Sequence, residues 1–283
     1  MEISIVIPTL NEQVLLPNLL KDLQDQTFRD FEIIVADAGS KDQTVEIAHS
    51  LGAKVIPGGM PAVGRNKGAQ AANGSFLVFL DADTRVSPTF LAEVRDELEN
   101  RFLDLATCEV VPLSENTIDS LLHEFANLAI KLGQFTDPHA PGFCIIISKR
   151  LFNRIGGFKE DLKLAEDHDL VKRASQFRPL RVLNAPRVQV SVRRLEKEGR
   201  VKLISKYRAV ELYRILFGSD MGPYPEAYRV IYRFLETDDE YFNYNTGEVP
   251  MQGRWHVHGL YLPDEVLRKV YFENAERILL NYG

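Results

Sequence analysis

Short apolar runs alternate with polar breaks through the first third of the chain. Glu2 to Ile7 (EISIVI) is β-branched and stops at Pro8-Thr9-Leu10-Asn11-Glu12, after which Val14, Leu15, Leu19, Leu20 and Leu23 fall at helical spacing. Phe31 to Ala36 (FEIIVA) reads as a second strand. It ends in Asp37-Ala38-Gly39-Ser40, where Gly39 permits a tight turn and Ser40 with Gln43 predicts a capping box for a helix over 42–51. A third strand over 53–56 leads through Pro57-Gly58-Gly59 into a helix over 61–72, and Phe76-Leu77-Val78-Phe79-Leu80 is a fourth. Runs this apolar suit strands buried on both faces. Strands alternating with helices predict right-handed crossovers, a parallel sheet flanked by helices, and loops gathered along one edge.

The chemistry collects at that edge. Asp81-Ala82-Asp83 follows the fourth strand directly, and strand alternation would point both carboxylates the same way, offering hard oxygens to one Mg²⁺ or Mn²⁺ that holds a diphosphate. By itself Asp-Ala-Asp-Thr is also a plain polar turn before the helix that Ser87-Pro88 starts. Thr9, Asn11, Asp37 and Arg65, which the same topology brings to this edge, give it weight.

Four segments, Ser4 to Glu12 (SIVIPTLNE), Ala36 to Thr44 (ADAGSKDQT), Gly64 to Ala69 (GRNKGA) and Phe79 to Thr84 (FLDADT), resemble in order and spacing the signatures of family 2 glycosyltransferases, a resemblance that covers roughly residues 1–213. It implies an α/β fold of the glycosyltransferase A type, with a mostly parallel, Rossmann-like nucleotide-binding sheet flanked by helices. It implies inverting transfer from a UDP- or GDP-sugar to a glycan or polyprenyl-lipid acceptor, with Mn²⁺ or Mg²⁺ as cofactor. On the donor side it implicates Pro8, Thr9, Asn11, Glu12, Asp37 and Gly39. Arg65 would lie over the nucleotide and diphosphate, and Asp81, Ala82 and Asp83 would form the metal motif, with Asp83 the main ligand. Arg65 also reads simply as an exposed helix residue, and Glu12 as a first-turn carboxylate favoured by the helix dipole.

The second half is expected to bind the acceptor. Gly142 to Ser148 (GFCIIIS) reads as another buried strand, and Glu166-Asp167-His168-Asp169-Leu170 opens a helix running to about Phe177. That segment resembles the family's Glu-Asp-x-Asp-Leu, which implies that Asp167 is the general base, with Gly142, Phe143 and Glu166 on the acceptor. A carboxylate at the amino end of a helix stays ionised for that task. Against a phosphate acceptor no base is needed, and Asp167 would only orient it. Glu166 and Asp169 also read as an acidic first turn on a solvated helix, and His168 as exposed.

Thr117 to Leu132 places Leu121, Leu122, Phe125, Leu128, Ala129 and Leu132 on one stripe. Residues 193–214 hold eight basic and three acidic residues in a chain of net charge −6. Such a basic amphipathic helix either packs on the core or lies on an anionic bilayer surface. Arg193 and Arg194, at the end of a strand over 187–192, could instead close over the donor diphosphate.

The expected organisation is a catalytic domain over 1–213 (a nucleotide-sugar half over 1–100, an acceptor half over 101–192, the basic helix over 193–213) and a mainly helical extension over 214–283. Ile215 to Gly222 and Pro263 to Leu280 resemble the last unit of an amidohydrolase-type barrel. One such unit cannot form a hydrolase site, so Asp220, His256 and His258 are read as part of an appendage that packs on the domain or on a second copy as a homo-oligomer. The acidic balance argues against nucleic acid. No signal peptide or run of ~18 apolar residues is read, and Cys108 and Cys144 are expected as buried thiols, which fits a cytoplasmic enzyme at the inner membrane surface. Two other functions fit parts of the pattern, a sugar nucleotidyltransferase and a non-catalytic nucleotide-sugar binder. The first lacks its Gly-rich basic loop after strand one.

Overall fold

The computed structural model describes residues 2–134, 138–162 and 165–193. Arg194, the basic helix beyond Arg193 and the whole extension over 214–283, including Asp220, His256 and His258, lie outside the described residues.

The first half alternates as its pattern predicts: β1 (Ile3–Thr9), α1 (Leu16–Gln24), β2 (Phe31–Asp37), α2 (Thr44–Ser50), β3 (Lys54–Pro57), α3 (Pro61–Ala71) and β4 (Phe76–Leu80). These four strands lie side by side in the order β3-β2-β1-β4 and are all parallel. Successive residues of β1 serve opposite faces. Ile3, Ile5 and Ile7 pack with Leu16, Leu19, Leu20 and Leu23 of α1, whereas Val6 packs with Ala62 and Ala69 of α3. Each fully buried leucine is worth about 1.5–3 kcal/mol relative to exposure. Leu19, Leu20 and Leu23 are buried as the pattern predicts, and only the start of the stripe differs. Leu16 is buried and Val14 is 72% exposed, because Val14 and Leu15 precede the helix and the stripe is counted from its first turn.

Beyond β4 come β5 (Thr84–Val86), α4 (Phe90–Asn100), β6 (Leu105–Leu113), α5 (Thr117–Gly133), β7 (Cys144–Ser148), α6 (Lys149–Arg154), α7 (Glu166–Ser175) and β8 (Arg181–Ser191). The eight strands form one sheet, β3-β2-β1-β4-β7-β6-β8-β5. It is mixed: β7 runs antiparallel to both β4 and β6, β6 and β8 are parallel, and β5 is antiparallel to β8. The pairing of Leu80 with Cys144 sets the carboxyl end of β4 beside the amino end of β7. Cys108 and Cys144 are buried free thiols, as expected.

Helix α5 is capped by Asn116, whose side chain accepts from the Ile118 N–H (2.9 Å). It is tied to β6 by Asn127, which donates to the Val110 carbonyl (2.8 Å) and accepts from its N–H (2.9 Å). Its outer face is bare: Ile118, Leu121, Phe125, Leu128 and Leu132 are 52–72% exposed. No helix among the described residues is long and apolar enough to cross a membrane.

Candidate functional site

The parallel strands end together, and their loops are stitched by hydrogen bonds. Thr9 and Asp37 are register partners at the ends of β1 and β2, and the Thr9 hydroxyl donates to Asp37 Oδ1 (3.0 Å). Asp37 Oδ2 accepts the backbone N–H groups of Gly39 (2.9 Å) and Ser40 (2.8 Å), and the Ser40 hydroxyl donates to Oδ1 (2.5 Å). Gly39 stands at φ +90°, a left-handed turn that a side chain would strain. Burial alone would push the Asp37 carboxyl up, but the bonds from Ser40, Thr9 and Gly39 more than offset it and hold the group below its ordinary value. Asp37 is therefore an ionised brace for the turn. Asn11, at φ 55°, joins the neighbouring loop to it, with its N–H on the Ser40 hydroxyl (2.8 Å) and its side-chain oxygen accepting from the Lys41 N–H (2.9 Å). The capping box does not form. Ser40 is taken by Asp37 and Asn11, and α2 starts at Thr44 behind an N-cap Gln43 with no side-chain capping bond.

The Asp81–Asp83 motif is a turn and not a continuation of β4, so alternation does not set its side chains. Thr84 closes it, donating its N–H (3.2 Å) and hydroxyl (2.8 Å) to the Asp81 carbonyl. Ala82 is buried within it, Asp81 is engaged by Arg65, and the Asp83 carbonyl accepts the Ser191 N–H at the end of β8 (3.3 Å). Glu12 lies near this turn. Burial raises its pKa first, Asp83 and Asp42 add to the rise, and Arg193 opposes it without cancelling it. Arg193 Nη2, two residues beyond the end of β8, lies 3.5 Å from Glu12 Oε1. Among the described residues no three His, Cys, Asp or Glu side chains cluster as a complete metal cage. A Mg²⁺-like ion asks for less: one or two carboxylates, with substrate phosphates and water completing its shell. Asp83 and Asp81, hard-oxygen donors on one turn, fit that demand.

Arg65 links this turn to the acceptor side. It is 4% exposed on α3 and not a surface residue. Nη2 donates to Asp81 Oδ1 (3.0 Å) and to the Gly142 carbonyl (3.3 Å), while Nη1 donates to Glu166 Oε1 (2.9 Å). Its guanidinium carbon lies 5.5 Å from the Phe158 ring centre. Burial disfavours the charge, but Asp81, Glu166 and Asp167 together hold the pKa above its ordinary value. Its Nε is buried and has no hydrogen-bond partner among the described residues.

Asp167 stands at the amino end of α7, with Oδ1 accepting the His168 N–H (2.9 Å). A Cβ on Gly142 would sit 3.1 Å from Asp167 Oδ2 and 3.1 Å from Arg65 Nη2, so this position has little room for a side chain. Phe143 is half-buried and packs against the core beside it. The acidic first turn of α7 is not a solvated face. Asp169 is buried, pairing with Lys159 (3.2 Å) and Arg173 (2.5 Å), and Glu166 is held by Arg65. His168 is half-buried and stacks on His139, ring centres 5.1 Å apart. Ser40 enters the sequence reading only as half of a capping box, and His139 not at all. The signal for Ser40 was available, since an Asp followed by Gly-Ser two and three residues on is the pattern of a side-chain-closed turn.

Thr9, Asp37, Glu12, Asp83 and Arg193 thus line one part of the edge, and Asp81, Arg65, Gly142, Glu166 and Asp167 the adjoining part. Residues 4–156 match the model of glycosyl transferase family 2. An uncharacterised glycosyltransferase of Haemophilus influenzae is 30% identical over 201 residues, which cover 64% of this chain and 65% of the relative. A GalNAc(5)-diNAcBac-PP-undecaprenol beta-1,3-glucosyltransferase of Campylobacter jejuni is 36% identical over 95 residues, 29% of each chain. The chain thus spans less than two thirds of the length of these relatives. Among solved structures, S. aureus TarS 1-349 in complex with UDP-GlcNAc superposes with a TM-score of 0.56 at 23% identity, covering 68% of this chain and 58% of that one, a likeness of fold.

Proposed function

Because the chain belongs to glycosyl transferase family 2, we propose that it moves a sugar from a UDP- or GDP-sugar to an acceptor hydroxyl or lipid phosphate, with inversion at the anomeric carbon. The observation that carries this reading is the Asp81–Arg65–Glu166 bridge with Asp167 against Gly142, since it brings a carboxylate turn suited to a metal beside a carboxylate at the amino end of α7. The nucleoside lies over the braced Asp37 turn between the loops of β1 and β2. Arg193 moves from Glu12 toward the departing diphosphate and offsets its growing charge. Asp83 and Asp81 would hold a divalent ion, which would supply further charge compensation to the same leaving group. Asp167 Oδ2 takes the proton of the acceptor hydroxyl as its oxygen attacks, and the sugar–phosphate bond breaks on the opposite face, so one displacement inverts the centre. Toward a phosphate acceptor, already anionic, Asp167 orients and does not abstract.

The test is release of UDP or GDP from nucleotide sugars with Mn²⁺ or Mg²⁺, measured for wild type, Asp83→Ala and Asp167→Asn. Turnover in wild type with donor binding kept in Asp167→Asn supports the transferase. Pyrophosphate release from nucleoside triphosphate and sugar phosphate would replace it with a nucleotidyltransferase, and donor binding without turnover on any acceptor with a binding protein.

A further inference from the structure

Asn66 follows Arg65 on α3, yet its side chain serves a different segment. Its Oδ1 accepts the Phe158 N–H (2.9 Å), while Nδ2 donates to the Phe158 carbonyl (2.8 Å) and to Glu160 Oε1 (2.9 Å). The amide thus stands in for a neighbouring strand toward a single residue 92 positions away. A flipped amide would set oxygen against carbonyl, so the side chain holds Phe158 in one way only. Gly157 makes room for it. That residue stands at φ +73°, and a Cβ there would come within 2.6 Å of Asn66 Oδ1.

What this clamp holds bears on the cleft. Phe158 is buried, its ring meets Phe79 edge-on with ring centres 5.1 Å apart, and the Arg65 guanidinium carbon lies 5.5 Å from its centre. The residues on either side of Phe158 are tied to α7. The Gly157 carbonyl accepts from Arg173 Nη2 (2.8 Å), and Lys159 pairs with Asp169 (3.2 Å). Arg173 donates as well to the Ile155 carbonyl (2.7 Å). Residues 157–160 are therefore a splint, fastened to α3 by Asn66 and to α7 by Asp169 and Arg173. We propose that Asn66 is a positioning residue for sugar transfer: by locking Phe158 it fixes the ring against which Arg65 rests and the placement of α7, and so the seat of Asp167 beside Gly142. Its effect passes through Phe158, Arg65 and α7, not through contact with donor or acceptor. The proposal rests on the transferase reading and adds a residue to its machinery.

The probes are UDP-GlcNAc and GDP-mannose with Mn²⁺, and release of UDP or GDP by the full chain is followed with water or glucose as the attacking hydroxyl. Asn66→Asp keeps the bond from the Phe158 N–H but turns a carboxylate on the Phe158 carbonyl and Glu160. A misplacement of about 1 Å costs up to about 10²-fold, so kcat should fall by about tenfold or more with the donor KM within about twofold of wild type. Adding Glu160→Gln, which offers that carboxylate a donor, should return about threefold of the loss. Asn127→Asp is the matched control, since Asn127 clamps the Val110 N–H (2.9 Å) and carbonyl (2.8 Å) in the same manner on α5. It should lose comparable thermal stability and keep kcat within about twofold. Equal falls in kcat for Asn66→Asp and Asn127→Asp reduce the clamp to a structural one and overturn the proposal. A donor KM that rises in step with the fall in kcat, or no recovery on adding Glu160→Gln, overturns it too. Should Asn66→Asp not fold, Lys159→Met, which cuts one tie between the splint and α7, should lower kcat about threefold with KM unchanged, and an unchanged kcat there is decisive against the proposal. Wild type that binds neither donor, or binds one without turnover on any acceptor, sinks the transferase reading instead, whereas wild-type turnover that Asn66→Asp retains sinks only the positioning role.

Discussion

The strand-end turn at Asp37 and the Arg65–Glu166 region, which we propose to be the donor edge and the acceptor side, are held by different forces. At the donor edge, Asp37 is fastened by hydrogen bonds from Thr9, Gly39 and Ser40, and three of the four bonds come from within three residues. On the acceptor side, Arg65 fastens Glu166, 101 residues away in the chain, and donates to the Gly142 carbonyl, 77 residues away. Local bonds give a preformed turn whose shape survives the loss of any single partner. A buried charge shared among distant acids concentrates the geometry in one side chain, so the two regions should fail in different ways.

The sharpest break should come from Asp167, the proposed base. Asp167→Asn is expected to lower kcat toward a hydroxyl acceptor by about 10²–10⁴, with the donor KM unchanged. An equal loss in donor affinity would show that the two regions are not separable. Second is Arg65→Met, which strands Asp81 and Glu166. Losing one partner of a buried ion pair costs about 3–5 kcal/mol. The low end, about 3, is expected because the Asp81 and Glu166 side chains keep 37% and 20% of their exposure. Urea unfolding measures it, and adding Asp81→Asn or Glu166→Gln to Arg65→Met should then cost little more. Gly142→Ala adds a methyl 3.1 Å from both Arg65 Nη2 and Asp167 Oδ2. Small misplacements of reacting groups are expensive, so kcat should fall about tenfold with little change in stability.

The smallest effect belongs to the donor turn. Ser40→Ala removes one bond of four from Asp37 and should cost about 1 kcal/mol. Its pH dependence follows from the lowered Asp37 carboxyl. The stabilisation is fully present above the ordinary value of 3.8 and is lost as pH falls through the lowered one, so wild type and Asp37→Asn should converge in acid. Glu12 runs the other way. Its raised pKa means the ionised form is disfavoured in the fold, so Glu12→Gln should gain slightly at neutral pH and lose that gain as pH falls toward 4.5. Parallel acid limbs for the two variants would contradict this contrast.

The same difference explains what could be read in the chain. β1, β2, β4 and their loops were legible because periodicity and turn chemistry are local, and Asp37, Gly39 and Asn11 sit where their motifs imply. Arg65 was read as either a donor contact or an exposed helix residue, because nothing within its own helix reveals that Asp81 and Glu166 meet there. The alternation argument for Asp81 and Asp83 failed for a local reason, the capture of the Asp81 carbonyl by Thr84, which ends the strand's geometry at Leu80. The stripe on α5 was legible as a stripe, but amphipathic spacing says only that an apolar face exists, not what covers it. The mixed character of the sheet beyond β4 is not legible locally, because helices separate β5, β6, β7 and β8 just as they separate the parallel strands, yet β7 runs antiparallel to β4 and β6.

The antiparallel seam between β4 and β7 has a practical consequence. The chain from Asp81 to Phe143 departs from and returns to one spot on the scaffold, yet it carries the Asp81–Asp83 turn and β6, which is hydrogen-bonded to both β7 and β8. Chimaeras spliced at Leu80 and Cys144 should therefore disturb the carboxylate turn and the second half of the sheet together, and should not exchange acceptor preference alone.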